Sequence, residues 1–415
     1  MKKQNKKRGF TIVELTIVVS VIAILSAVLI PTFAGIIKKA NLSADEQAVR
    51  QMNTAIAVAA EDDLSFEQAI TVLDEAGYNS LDNLTPVSKG YAFYWDPANK
   101  TIVLVKDTTV VFPKNYANDF QNTWNKFDNK AIISNLSNID VASKADISNA
   151  IANGAKKVTL TKDLTLKDSL TVENDLVIDL NGYELNAEKN DSRPFNVDGD
   201  VSLTIEATGA EINVGKYGLV NVVAGSTATV VMNGGTYNAD KDSENGAFIK
   251  VRAGATANVT LNNITYIDET GENFVLNSQG ATANVTMNGG TYKAAHGLSV
   301  TSLNAKDVEI TTEGYAFVIE GSTESTIENC TITAGGKADN AGLANGAILA
   351  TNGAKVTADN CNITTNGVVA YFVANSGGEI VATNAQGATT AGSTDYVNEG
   401  ATIKITVNGE EKVNK

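Results

Sequence analysis

At 415 residues the chain is longer than one ordinary core, so an anchored small unit followed by a larger second domain is the expected organisation. It is 43% hydrophobic but only 6% aromatic, with 34 Gly against 5 Pro, a balance that suits a repetitive, small-residue architecture. The formal charge is −15, and removal of the five basic residues that precede Gly9 (Lys2, Lys3, Lys6, Lys7, Arg8) would leave −20, which argues against nucleic acid as a partner. The arginines are Arg8, Arg50, Arg193 and Arg252, a supply that nearly excludes arginine-built phosphate or carboxylate clamps.

From Phe10 to Ile30 the sequence FTIVELTIVVSVIAILSAVLI has 21 residues and a single charge, enough as a helix to cross about 30 Å of hydrocarbon. The basic residues before it outnumber Lys38 and Lys39 after it, so the amino terminus is expected in the cytoplasm and the rest outside. A plain signal anchor explains length and charge bias but gives Glu14 no purpose, although an ionised side chain there costs about 2.5 to 3.5 kcal/mol. A cleaved secretory peptide, cut near Ala34, meets the same objection. A third reading gives the glutamate a use.

The run Gly9, Phe10, Thr11, Ile12, Val13, Glu14, Leu15 resembles the type IV pilin and pseudopilin family, whose leader ends in Gly before a Phe-Thr-x-x-Glu-Leu segment. The resemblance implies cleavage by a prepilin peptidase between Gly9 and Phe10, N-methylation of Phe10, and contact of Glu14 with the terminal amine of a neighbouring subunit. A buried carboxylate needs a cationic partner, and an α-amino group on an adjacent helix is one. Pro31, 22 residues into the mature chain, matches the helix-kinking proline common in that family. The implied parts are a leader over 1–9 and a pilin-type helix over 10–60, with the membrane span at 10–30.

Val49, Met52, Ile56 and Ala59 share a helical face, so this helix is expected to reach about Ala60 as a rod of roughly 75 Å and to pack its outer half on a head. That head, 61–113, should be a small α+β unit resembling a reduced pilin head. Ser65-Phe66-Glu67-Gln68 is a capping box, and Phe66, Ala69, Ile70 and Leu73 keep helical spacing up to a stop at Gly77. GYAFYWDPANKTIVLV then reads as a hairpin around Asp96-Pro97-Ala98-Asn99. Tyr91, Phe93 and Trp95 alternate there; packing against the long helix is favoured over a sugar-stacking surface. Residues 114–142 are expected to be a linker with a short helix around Trp124. Ser143 to Gly154 should form a helix that caps a solenoid.

GSTATVVMNGGTY from Gly225, GATANVTLNNITY from Gly254 and GATANVTMNGGTY from Gly280 are direct repeats at spacings of 29 and 26 residues. Weaker relatives start at Leu170, Ser322 and Gly353. Alternating apolar positions followed by an Asn/Gly turn are what parallel β-helix rungs require, and leucine-rich and helical repeats do not fit. These segments resemble right-handed β-helix proteins of the pectate-lyase-like architecture. The expected domain covers 143–400, with about ten rungs and insertions at Asp240 to Asn245 and Gly335 to Asn345. A strand and charged tail over 401–415 (Glu410, Glu411, Lys412) should block edge stacking.

His296 is the sole histidine, which rules out histidine triads and multi-histidine metal sites, and Ala-His-Gly suggests a turn. Asp240 to Gly246 resembles a calcium loop only faintly, since Val251 stands where the twelfth-position acid belongs. No metal or cofactor is expected. Cys330 and Cys361 both stand in Asn-Cys-x-Ile-Thr, aligned with Gly235, Ile264 and Gly290, and should stack on neighbouring rungs as buried thiols or as a disulfide.

The leading expectation is therefore a non-enzymatic minor or specialised pilin-like subunit, first held in the cytoplasmic membrane and then placed at the cell surface or in a pilus. Its partners would be the prepilin peptidase, other pilin-like subunits, and a glycan or other surface ligand of the β-helix. The alternatives are a pseudopilin of a type II secretion or DNA-uptake system and an envelope-tethered polysaccharide-active enzyme.

Overall fold

The apolar run and the amphipathic stretch after it form one helix, α1 (Ile12–Ala59), which passes through Pro31 without a break. In the computed structural model the described residues are 12–59, 64–187, 193–239, 246–271, 273–335, 346–365, 370–384, 386–389, 396–397, 401–407 and 410–414. Two compact units emerge, Met1–Leu136 and Ser137–Lys415.

In the first unit, α1 buries Val49, Met52 and Ile56, the expected face. Helix α2 (Phe66–Glu75) begins with the anticipated box: Ser65 Oγ accepts from the Gln68 N–H at 3.2 Å, while Gln68 Oε1 accepts from the Ser65 N–H at 2.8 Å. After a short α3 (Leu81–Leu84) come β1 (Tyr91–Asp96), β2 (Thr101–Lys106), β3 (Thr109–Phe112) and β4 (Asn125–Lys126), ordered β3-β2-β1-β4 in an antiparallel sheet. Phe93 and Trp95 are each only 1% exposed, so the hairpin aromatics are core. Tyr91, half-buried, lies beneath the Lys106 ammonium at 5.5 Å.

The stretch expected as a linker, 114–142, belongs instead to both units. Trp124 does not nucleate a helix; it packs on Val103 and Val105 behind the sheet, in edge-to-face contact with Tyr116 and Phe120. The helix comes later, as α4 (Asn129–Asn135), which buries Ile132 and Ile133. The aromatics there are spaced for no regular element, because they cover a sheet face as single side chains from irregular backbone.

The second unit starts before the cap: strand Ile139–Val141 pairs in parallel with Lys157–Leu160, and α5 (Lys144–Ala152) lies between them in the chain. Among the described residues there follow three stacked sheets, two of ten strands and one of thirteen, in the order of a parallel β-helix. One full turn runs through Thr227–Asn233, Thr236–Asn238 and Ala247–Val251, the next through Thr256–Asn262, Thr265–Ile267 and Phe274–Asn277. Alternate residues fill the interior: Val230, Met232, Val259, Leu261, Val285 and Met287 are at most 2% exposed. Tyr237, Tyr266 and Tyr292 stand in register, and Phe248 stacks on Tyr266 at 4.5 Å.

The turn after each long strand explains the repeat's Asn and Gly. Gly234, Asn263, Gly289, Asp307, Asn329 and Asn360 all have φ between 49° and 67°, the left-handed region that these residue types tolerate best. The next residue looks inward; at Gly290 a Cβ would lie 2.5 Å from the Ile264 carbonyl oxygen. Beside this turn Asn288 donates to Asn262, Asn262 to Asn233 and Asn233 to Glu206, at 2.7 to 2.8 Å. At the far end Glu410–Asn414, expected as the charged tail of a terminal strand, itself forms a strand antiparallel to Thr402–Val407. The thirteen-stranded sheet thus ends in an antiparallel strand rather than in a further parallel one.

Candidate functional site

Glu14 is in the first turn of α1, and its side chain is exposed. Every large apolar side chain from Ile12 to Ile37 is at least 46% exposed, whereas the buried residues of the helix begin at Asp45. The helix has a segment of mean hydropathy 2.7, long and apolar enough to cross a membrane. Pro31 withholds one backbone N–H from the helix ladder, and Thr32 Oγ1 donates to the Val28 carbonyl at 2.9 Å one position on. Gly9 and Phe10 lie outside the described residues.

Two polar side chains of α1 tie it to the head. Asp45, 2% exposed, accepts from the backbone N–H groups of Val87 and Ser88 at 2.8 and 3.0 Å. Asn53 donates to the Ile102 carbonyl at 2.9 Å and accepts from the Ile102 N–H at 2.7 Å. Strand β3 pairs β2 only from Leu104 onward, so Asn53 supplies Ile102 with the partner that the sheet lacks there. A polar residue on the buried side of an amphipathic helix was the available signal.

In the β-helix, Cys330 and Cys361 occupy the inward position after Asn329 and Asn360, on adjacent turns, and the Asn362 N–H donates to the Cys330 carbonyl at 2.8 Å. Both thiols are free and buried. The neighbouring thiol and burial push Cys330 well above the ordinary thiol range, which makes it a poor nucleophile. His296 is not in a turn: it opens the strand His296–Val300, is 5% exposed, and stacks between Phe274 at 4.9 Å and Tyr315 at 5.1 Å. An aromatic column, which one sequence cannot reveal, claims it. The segment Asp240 to Asn245 and most of Gly335 to Asn345 lie outside the described residues.

A family profile described as the prokaryotic N-terminal methylation motif matches residues 4–30. No curated protein matches the chain. Among solved structures, "L. reuteri 53608 SRRP" is similar at 15% identity and a TM-score of 0.39, covering 64% of this chain and 98% of that one. With the methylation motif running directly into an exposed apolar helix, this chain carries a prepilin-type amino-terminal methylation motif, joined to a parallel β-helix.

Proposed function

We propose that the protein is a minor or specialised pilin-like subunit, cut between Gly9 and Phe10, methylated on Phe10, and assembled with other pilin-like subunits through α1. The β-helix is then its displayed part, outside the cytoplasmic membrane, serving adhesion or surface binding rather than catalysis. One observation carries this reading: the methylation motif at 4–30 coincides with a helix whose first half buries none of its large apolar side chains. Such a surface requires lipid before assembly and neighbouring helices after it. Glu14 supplies the charge that pairs with the amine of an adjacent subunit, and Pro31 adjusts the helix within the packed array.

Mass spectrometry of the protein from its native host should show a mature chain that starts at N-methyl-Phe10. An intact leader, or a cut near Ala34, would sink the reading. Glu14→Ala should leave that cut intact and lower recovery of the protein in sheared filaments by about tenfold, and unchanged recovery would remove the amine contact.

A further inference from the structure

The scarcity of arginine pointed away from an arginine-built anion site, yet the fold brings two of the four together. Arg193 stands two residues before the strand Phe195–Val197, and Arg252 directly follows Ala247–Val251, which contains Lys250. These strands flank Val220–Val222 in one ten-stranded sheet. Val197, Val222 and Val251 are in register and wholly buried, while Asn196, Asn221, Lys250 and Asn277 form the alternate, outward column. Asn221 ties the patch together: it donates to Asn196 Oδ1 at 2.9 Å and accepts from Arg252 Nε at 2.8 Å. Lys250 Nζ donates to Asn277 Oδ1 at 2.6 Å.

The bland alternative is a set of surface cations that balance local acids. Elsewhere on this β-helix that is the rule: Lys157 pairs with Asp179 at 2.9 Å, Lys293 with Glu269 at 2.8 Å and Lys306 with Glu328 at 3.2 Å. Here the hydrogen-bond partners of Lys250 and Arg252 are neutral amides, and among the described residues no carboxylate pairs with Arg193, Lys250 or Arg252. Arg193 is half-buried, and its Nε is buried without a hydrogen-bond partner among the described residues. Burial and the nearby Arg252 charge bring the Arg193 guanidinium down to about 10, so it remains a cation at neutral pH. Burial, Arg193 and Arg252 likewise hold Lys250 below the ordinary ammonium range. Three mutually repelling cations in a chain of net charge −15, one with a desolvated donor, make a site that an anion would relieve.

Tyr217 adds a second kind of contact. It is 39% exposed, the one large apolar or aromatic side chain of the second unit so exposed among the described residues, and its carbonyl accepts from the Ala247 N–H at 3.2 Å, at the start of the strand that carries Lys250. The Lys216 ammonium lies 5.9 Å from its ring centre. A flat, half-open ring beside fixed cations suits a sugar face that bears an acidic substituent.

We propose that Arg193, Lys250, Arg252 and Tyr217 form a binding site for an acidic polysaccharide, the cations pairing with its carboxylate or sulfate groups and the tyrosine with a sugar ring. This rests on the display reading, because it names what the displayed face takes. The full-length chain in detergent micelles is titrated with alginate, dextran sulfate, neutral dextran and single-stranded DNA. Alginate, dextran sulfate or both should bind, more weakly as salt rises, and neutral dextran should not. Which of the two binds more tightly tells carboxylate from sulfate recognition. The K250Q/R252Q double variant should lose about tenfold or more in affinity and Tyr217→Ala a smaller factor, with K306Q as an unaffected control.

A wild-type chain that binds neither acidic glycan would overturn the site. So would a double variant that melts cooperatively and binds as tightly as wild type. The exposed Arg252→Gln alone serves if the double variant does not fold. DNA bound as tightly as the glycans would replace the glycan assignment with a general polyanion surface. An unprocessed leader would defeat the display reading yet leave this titration unchanged, so the two failures are distinguishable.

Discussion

The two units are held together in opposite ways. In the first, each important contact occurs once: Asn53 completes the pairing of Ile102, Asp45 holds Val87 and Ser88, and Trp124 covers the back of the sheet. In the second, each contact recurs turn after turn, as in the tyrosine column, the asparagine ladder and the left-handed turn. A unique contact has no substitute when lost, whereas a column spreads the loss over its neighbours.

The sharpest way to break this comparison is Trp95→Ala. Removal of a fully buried indole should cost the first unit about 3–5 kcal/mol. Both tryptophans lie in that unit, so Trp124 fluorescence during urea denaturation reports it, while far-UV circular dichroism follows the β-helix. Equal destabilisation in both signals would show that the two units unfold as one.

A pair of asparagine substitutions tests uniqueness against repetition. Asn53→Ala leaves the Ile102 N–H and C=O unpaired at a buried strand and should cost about 1–3 kcal/mol in the fluorescence transition. Asn262→Ala removes two ladder hydrogen bonds at a half-buried site that water can reach, and should cost about 1 kcal/mol or less in the dichroism transition. The reverse order would sink the argument from repetition.

The smallest effect near neutrality concerns Asp96, buried at the hairpin turn. Burial opposes its charge, but hydrogen bonds from Asn99, Tyr116 at 2.7 Å, the Ala98 N–H and Asn118 outweigh that and hold the carboxyl below its ordinary value. A carboxyl lowered in the folded state stabilises fully above the unfolded value of about 3.9 and loses that contribution as pH falls through the folded value. The first unit should therefore keep its fluorescence midpoint from neutrality down to the carboxyl range and lose it below. Asp96→Asn should flatten that acid limb, and an unaltered limb would assign it to other groups.

Much of this was legible in the residues. The Gly9 to Leu15 run and the apolar stretch behind it specify a prepilin-type helix, because membrane insertion and processing read local sequence. The capping box at Ser65 and the Asn/Gly turns are local too. The β-helix followed from repeats whose inward positions recur at alternate residues, so that one rung predicts the next. Long single-sequence patterns fail where a residue acts alone: Trp124 serves an irregular cover, Asp45 and Asn53 bond backbone more than 40 residues away, and His296 is taken into an aromatic column.

By itself, then, the sequence determined the apolar amino-terminal helix, the capped helix and hairpin of the first unit and the stacking of the repeats, since all of these depend on spacing along the chain. Tertiary structure decided which outward residues share a face. Arg193 and Arg252 are 59 positions apart, and each turn of the solenoid returns the chain beside itself after a length that insertions change. Their meeting depends on that register rather than on any local pattern, so three cations scattered through an acidic sequence become one patch only once the coils are closed.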